Sequence, residues 1–158
     1  MPATATKTAK AEATHTLRME RRFGASPERV WRAFTDAREL RKWWGPTGFT
    51  TPRASLDLRV GGAYALTMKA PSGKLHHLAG VFKAVEPGKR LVYTWSWQEG
   101  GYAGLPTLVT LEFRPDGKGT MLRLTHEAMT SAEMARDHKG GWSSCLDRLA
   151  KLCRGEAA

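Results

Sequence analysis

Cysteine is almost missing from this sequence of 158 residues, which contains Cys145 and Cys153. Both lie in a segment whose apolar residues recur at helical spacing, so their Cα atoms are expected about 12 Å apart. A disulfide needs Cα atoms within about 7 Å of each other, so we predict two reduced thiols, in agreement with a cytoplasmic location. No Cys-x-x-Cys pair and no two-His-one-carboxylate spacing is present. We therefore predict neither a metal nor any other cofactor.

Long apolar runs are also missing. None approaches the ~18 apolar residues that a membrane-spanning helix needs, so we predict no transmembrane segment. The first seven residues lack the apolar centre of a signal peptide, which again favours the cytoplasm. Residues 1–13 are mostly Ala, Thr and Lys and have little to pack, so we predict a flexible N-terminal tail there. Residues 14–154 have the size of a single domain.

Acidic residues are also few: the sequence has 15 Asp and Glu and 25 Lys and Arg, which gives a formal net charge of +10. Such an excess suits a nucleic acid or an anionic membrane surface. The positive charges are spread along the chain, however, and no helix-turn-helix, zinc-finger or RNP motif accompanies them. We interpret them as a solvated basic surface and predict no specific nucleic-acid partner. A Gly-x-Ser-x-Gly elbow and a phosphate-binding glycine loop are missing too.

What the sequence does contain is a series of short alternating segments separated by turn residues. Apolar and polar residues alternate in each segment, and Gly and Pro punctuate the series. The predicted strands cover residues 15–23, 55–58, 63–69, 77–86, 91–97, 107–114 and 120–127. Strands that alternate in this way have one buried and one solvated face, which indicates an antiparallel sheet.

Three helices are predicted from their start signals. Residues 26–28 (Ser-Pro-Glu) and 36–39 (Asp-Ala-Arg-Glu) begin two short helices after the first strand. A long C-terminal helix follows the capping-box pattern of residues 130–133 (Thr-Ser-Ala-Glu). Gly140 and Gly141 inside this helix predict a bend or a close approach to the sheet, and His138 just before them is expected at the surface. The helix carries an apolar stripe of Trp142, Cys145, Leu146, Leu149, Leu152 and Cys153.

This order of elements predicts an α+β fold in which a curved antiparallel sheet of six or seven strands wraps around the long C-terminal helix. A sheet curved about one helix leaves space at one end, and apolar pockets with a few polar groups are the usual small-molecule sites. A solidly packed aromatic core is the alternative. The candidate ligand-binding residues on the facing surfaces are Tyr64, Met68, Phe82, Tyr93, Trp95, Trp97, Leu111, Leu124, Trp142, Cys145, Leu146 and Leu149.

Several motifs resemble those of the SRPBCC superfamily, to which START domains and the birch-pollen allergen belong. The segment from Ala25 to Asp36 resembles the opening of that superfamily. The closer resemblance is to the branch named after the activator of a heat-shock-protein ATPase. The matching segments, in order, are residues 43–46 (Trp-Trp-Gly-Pro), 57–64, 80–82 (Gly-Val-Phe), 90–95, 119–126 and 140–142 (Gly-Gly-Trp). The resemblance covers the chain from about His15 to Leu152.

This resemblance implies a helix-grip fold whose cavity, between the long helix and the sheet, holds a small hydrophobic molecule of the lipid, sterol or aromatic type. We therefore expect a binding protein rather than an enzyme. Trp43 and Trp44 are expected either to seal the mouth or the base of the cavity or to have a purely structural role. Two alternatives stay open. One is an enzyme of the aromatase/cyclase type, acting on an apolar carbonyl-bearing substrate with His126 or Tyr93 as acid or base. His126 is otherwise expected to be a satisfied structural histidine. The other is a stress-related protein-interaction module, and a homodimer is also left open.

Overall fold

The computed structural model describes residues 14–158, so the tail predicted for residues 1–13 lies outside it. Within the described residues, seven strands and three helices follow one another in the predicted order. The strands are β1 (His15–Phe23), β2 (Thr50–Leu56), β3 (Ala63–Lys69), β4 (Leu75–Glu86), β5 (Arg90–Trp97), β6 (Thr107–Asp116) and β7 (Gly119–Met129). The helices are α1 (Pro27–Thr35), α2 (Ala37–Leu40) and α3 (Ala132–Cys153).

All seven strands form one antiparallel sheet in the order β1-β7-β6-β5-β4-β3-β2. From β2 to β7 each strand pairs with the next one in sequence, whereas β1 pairs with β7. The two short helices therefore connect the two edge strands of the sheet, and the long helix α3 returns across it. This arrangement confirms the predicted α+β fold.

The two short helices begin where their capping signals predict. Ser26 Oγ accepts a hydrogen bond from the amide of Arg29 at 3.2 Å, and Pro27 occupies the first helical turn. Asp36 Oδ1 accepts from the amide of Arg38 at 2.9 Å. Each side chain satisfies an amide that has no partner inside its helix, so the local sequence alone specifies both starts.

The long helix α3 runs without interruption through its two glycines. It begins one residue later than its capping-box pattern implies, because Ser131 is the N-cap and accepts from the amide of Met134 at 3.0 Å. At Gly140 and Gly141 an added Cβ would meet no atom within 4 Å in the described part of the chain. The predicted close approach of these glycines to the sheet is therefore wrong, and the space beside them is open. No helix formed by residues 14–158 is long and apolar enough to span a membrane.

The strand β2 begins earlier than predicted and ends before Leu58, which is exposed. The sequence did not predict the beginning of this strand because it contains Pro52, and a proline has no amide hydrogen to donate to a neighbouring strand. The strand tolerates it since β2 lies at the edge of the sheet, and its pairing with β3 shifts register between Thr50 and Arg53.

The core lies between α3 and one face of the sheet. Burial alternates along the strands as predicted, and in β6 every second residue from Thr107 to Phe113 is buried. Under the short helices Trp43 is fully buried, and its Nε1 donates to the carbonyl oxygen of Ala33 at 3.0 Å. The same alternation places Gly80 of β4 opposite Tyr64 of β3.

We expect Gly80→Ala to destabilise the chain by about 1–3 kcal/mol, because it adds a methyl group to a filled space. An added Cβ at Gly80 would collide with the carbonyl oxygen of Thr94 and with the ring of Tyr64, whose hydroxyl donates to that same oxygen. Gly140→Ala is the control and should stabilise by up to about 1 kcal/mol through its helix propensity. Urea denaturation measures both changes. Equal stability of Gly80→Ala and the unaltered chain would contradict the packing described for β4.

Candidate ligand-binding site

A cavity of about 220 Å³ lies between α3 and the sheet. Four tryptophans form much of its wall, and the loop after α2 and the loop after β5 complete it. The lining residues are Trp44, Pro46, Met68, Trp95, Trp97, Tyr102, Asp137, His138, Gly141, Trp142 and Cys145. Five of the twelve predicted ligand-binding residues are among them: Met68, Trp95, Trp97, Trp142 and Cys145.

The cavity has a partly exposed, polar rim. Pro46, Gly141 and Tyr102 are half-buried, and Asp137 is exposed. The Tyr102 hydroxyl donates to Asp137 Oδ2, which joins the loop between β5 and β6 to α3 at this rim. The bond to the Asp137 carboxylate, together with burial, raises the pKa of Tyr102 to about 12, so the hydroxyl stays a donor. The opposite, inner end of the cavity is apolar and contains Trp142, which is 2% exposed.

His138 is buried, so the expectation that it lies at the surface is wrong. The Trp97 indole donates its Nε1 hydrogen to His138 Nε2 at 3.0 Å. Because an indole nitrogen can only donate, Nε2 is unprotonated and the hydrogen is on Nδ1. His138 Nδ1 donates it to the carbonyl oxygen of Met134 at 2.7 Å. Burial lowers the pKa of His138, which keeps the ring neutral.

His126 forms the second indole–imidazole bond, with the opposite tautomer. Trp142 donates its Nε1 hydrogen to His126 Nδ1 at 3.1 Å. The His126 hydrogen is therefore on Nε2, which donates to Thr107 Oγ1 at 2.7 Å. Thr107 Oγ1 in turn donates to the carbonyl oxygen of Trp95 at 3.2 Å. A chain of polar contacts thus runs from α3 through β7 to β5 and β6.

Both ring nitrogens of His126 are hydrogen-bonded, and this determines which role the side chain can have. The side chain is fully buried, and its burial, with a weaker effect from His138, lowers its pKa to about 3. It therefore has neither a free nitrogen nor a basic one with which to take a proton from a ligand. The geometry supports the structural role that was weighed for His126 and not the role of acid or base.

The other seven predicted residues lie away from this cavity. Tyr64, Phe82 and Tyr93 line a second space of about 20 Å³, which is room for little more than one water molecule. Burial raises the pKa of Tyr93 well above its usual value, so its hydroxyl stays protonated. The remaining four are fully buried in the packed core, outside the lining of either space: Leu111, Leu124, Leu146 and Leu149.

The other reactive side chains are poorly placed for chemistry. Cys145 faces the cavity, but burial raises the pKa of its thiol to about 12, so it is not a thiolate. Cys145 and Cys153 are both free, as predicted. Within residues 14–158 no three His, Cys, Asp or Glu side chains form a cluster that could hold a metal. His77 forms a surface contact with Glu99, in which His77 Nδ1 lies 2.7 Å from Glu99 Oε1.

One arginine holds the loop that carries Trp44 and Pro46. Arg148 of α3 places Nη1 within 2.9 to 3.3 Å of the carbonyl oxygens of Trp44, Gly45, Pro46 and Phe49. The two hydrogens of that nitrogen are shared among four acceptors, so its charge stabilises the whole turn rather than one bond. This wall of the cavity is therefore attached to α3.

Sequence reasoning anticipated Trp44 near the cavity but missed His138 and the residues of the rim. His138 lies four residues before Trp142, and Gly141 and Asp137 lie four and eight residues before Cys145, so they continue the α3 stripe towards its N-terminus. That spacing could have identified them. Tyr102 lies in a glycine-rich loop without periodicity, so no comparable signal exists for it.

A seven-stranded antiparallel sheet with a long C-terminal helix across it defines the helix-grip class of α+β proteins. A sequence model of the family described as "Activator of Hsp90 ATPase homolog 1-like protein" matches residues 24–154. The chain belongs to this family, which confirms the predicted resemblance.

Solved structures and a curated relative agree with this assignment. A protein from Chromobacterium violaceum is 34% identical with a TM-score of 0.80, and the match covers 87% of this chain and 96% of that one. The AHSA1 protein from Silicibacter pomeroyi is 30% identical with a TM-score of 0.79, with coverages of 87% and 96%. The "Activator of 90 kDa heat shock protein ATPase homolog" of Dictyostelium discoideum is 26% identical over 144 residues, which are 89% of this chain. The chain spans about a third (33%) of the length of that relative.

The two neutral histidines predict a stability that falls in mild acid. The pKa of His126 is near 3 in the folded chain and about 6.5 in the unfolded one, and that of His138 is lowered in the same direction. The unfolded state therefore binds more protons, and the free energy of unfolding falls as the pH drops from about 6.5 towards 3. The loss is about 1 kcal/mol per pH unit for each histidine that is neutral only when folded.

His126→Leu should make this dependence shallower between pH 7.5 and 5, while lowering stability at pH 7.5 by about 1–3 kcal/mol through unpairing of Trp142 and Thr107. Urea denaturation at several pH values measures both effects. If the variant and the unaltered chain lose stability at the same rate per pH unit, His126 does not titrate as described.

Proposed function

We propose that this chain binds a small hydrophobic molecule in the cavity between α3 and the sheet, without transforming it. The observation that supports this most directly is an unfilled space of about 220 Å³ walled by four tryptophans. Protein interiors are normally packed without such voids, so a space of this size beside a well-packed core is a feature that needs a role.

The size of the cavity favours one of the three ligand types expected from the resemblance. An apolar cavity of about 150 Å³ is enough to bind benzene, whereas sites for drug-sized molecules have about 300–1,000 Å³. A space of about 220 Å³ therefore suits a compact molecule of one or two rings better than a sterol or a long-chain lipid. The planar indole walls favour an aromatic ligand for the same reason, because flat rings pack well against flat rings.

The supports of the cavity also favour binding. Bulky rings form its walls. Hydrogen bonds to His138 and His126 fix the rings of Trp97 and Trp142, and Arg148 holds the backbone of the loop that carries Trp44. A preformed site loses little conformational freedom when a ligand enters.

Gly141→Leu tests the site, because the open space next to this glycine belongs to the cavity. Indane, a two-ring hydrocarbon, is the ligand, and tryptophan fluorescence and the melting temperature report its binding. The leucine side chain should fill the cavity and weaken indane binding by about tenfold or more, while the improved helix propensity preserves stability.

Gly140→Leu is the matched control. Its neighbouring position is equally open but does not line the cavity, so binding should change less than about twofold. A bound ligand must raise the melting temperature of a protein that it binds only when folded. Undiminished indane binding by Gly141→Leu would place the ligand elsewhere and overturn the proposed site.

A further inference from the structure

The cavity has more hydrogen-bond donors than the surrounding chain can satisfy. Four tryptophans line it, and each indole carries one N–H. Those of Trp97 and Trp142 are bonded to histidines. The Nε1 atoms of Trp44 and Trp95 have no acceptor among residues 14–158, and each has less than 1 Å² of exposed surface. Nearly all buried N–H groups in proteins are paired, so two unpaired donors on side chains that line the same cavity are unusual.

The two unpaired indoles lie together at the inner end of the cavity. The ring centroids of Trp44 and Trp95 are 5.9 Å apart, and they lie 5.5 and 5.2 Å from that of Trp142. Trp44 is 3% exposed and Trp95 is 6% exposed. A ligand that filled the cavity would therefore pack against the rings of this cluster at one end and lie near Pro46 and Tyr102 at the rim.

Strong side-chain acceptors, by contrast, are already in use. Both nitrogens of His138 and both nitrogens of His126 are engaged. The Asp137 carboxylate accepts from Tyr102 and keeps further acceptor sites, but it lies at the exposed rim and not among the buried rings. A hydroxyl or amine on the inner part of a ligand would therefore find no free side-chain acceptor. This imbalance favours a ligand whose inner end accepts hydrogen bonds and does not donate them.

The charges around the cavity favour a neutral acceptor. No Lys or Arg is among the lining residues, and the one ionisable acid among them is Asp137. The Nη1 of the nearby Arg148 is directed at the carbonyl oxygens of Trp44, Gly45 and their neighbours. A carboxylate on the ligand would lose its water at the inner end without meeting a cation, which is far more costly than burying a neutral carbonyl.

From these observations we propose that the ligand is a compact, neutral ring compound with a carbonyl oxygen, such as a cyclic ketone or quinone, which accepts a hydrogen bond from the indole of Trp95 or Trp44. Both nitrogens are shielded in the free chain, so the bond forms when the indole ring tilts towards the cavity. This inference rests on the proposed function and adds the chemical class of the ligand.

Four compounds with the same two-ring system test it: indane, 1-indanone, 1-indanol and 1-indanecarboxylate. Calorimetry gives the dissociation constant of each for the full chain. In a cavity without donors the ketone would bind more weakly than the hydrocarbon, because its carbonyl loses hydrogen bonds to water. With an indole donor, 1-indanone should bind about three- to tenfold more tightly than indane, and more tightly than the alcohol or the carboxylate.

Trp95→Phe and Trp44→Phe identify the donor. Each keeps an aromatic ring and removes an N–H, and the ratio of the indane to the indanone dissociation constant is the readout, since a change in cavity size affects both ligands. The ratio should fall to one or below in at least one variant. Trp31→Phe is the control, because Trp31 packs on Phe113 away from the cavity and the ratio should not change.

Infrared spectroscopy provides a test that uses the unaltered chain and therefore does not depend on the folding of a variant. The C=O stretching frequency of bound 1-indanone should lie below its value in a hydrocarbon solvent, as expected for a hydrogen-bonded carbonyl.

The outcomes separate the two proposals. Indane binding without an advantage for the ketone, an unshifted carbonyl band, or a ratio unchanged in both cavity variants would overturn the carbonyl assignment and leave the cavity as a binding site. Failure of all four compounds to bind would overturn both.

Discussion

The hydrogen bond from Trp142 to His126 sets the position of α3 over the sheet. Its two partners belong to α3 and β7, and the second bond of His126, to Thr107, extends the connection to the beginning of β6. A parallel bond joins Trp97 of β5 to His138 of α3. If α3 slid along the sheet by one residue, both bonds would break, and the bond between Trp142 and His126 is buried where no water would replace it. The helix is therefore fixed in register as well as in orientation.

This fixed register explains how a packed core and an open cavity coexist in one small domain. Towards the C-terminal part of α3, Leu146 and Leu149 are fully buried and fill the space above the sheet. Towards its N-terminal part, His138 and Gly141 face the sheet instead. The rings of Trp97, Trp142 and His138 cannot close the space, because their nitrogens are hydrogen-bonded to defined partners, and Gly141 has no side chain to contribute. The leucine end supplies much of the apolar burial, which permits the other end to stay unfilled.

How far the sequence predicts this structure depends on whether a feature is local. Alternation along strands and the caps at Ser26 and Asp36 involve neighbours in sequence, and the corresponding elements lie where they were expected. Alternation also identifies which strand residues face α3, but it does not tell which part of α3 each of them lies under. Hence Tyr93 and Leu124 were grouped with Trp95, although they lie elsewhere in the interior. The burial of His138 depends on Trp97, about forty residues away, and no local pattern contains that information.

The chemistry of the cavity depends on which of its indole N–H groups are hydrogen-bonded to histidines, and not on the fold alone. Related proteins with TM-scores of 0.80 and 0.79 share the architecture, and an architecture by itself does not specify a ligand. In this chain the property that bears on the ligand is the pairing of the indoles: four tryptophans line the cavity, and two histidines accept from two of their N–H groups. Each histidine is held neutral by its burial and presents its single acceptor nitrogen to an indole, so neither can serve a further donor. The surplus of two donors at the inner end is consequently independent of pH near neutrality. For the proposed ligand it favours a neutral acceptor over a donor or a charged group.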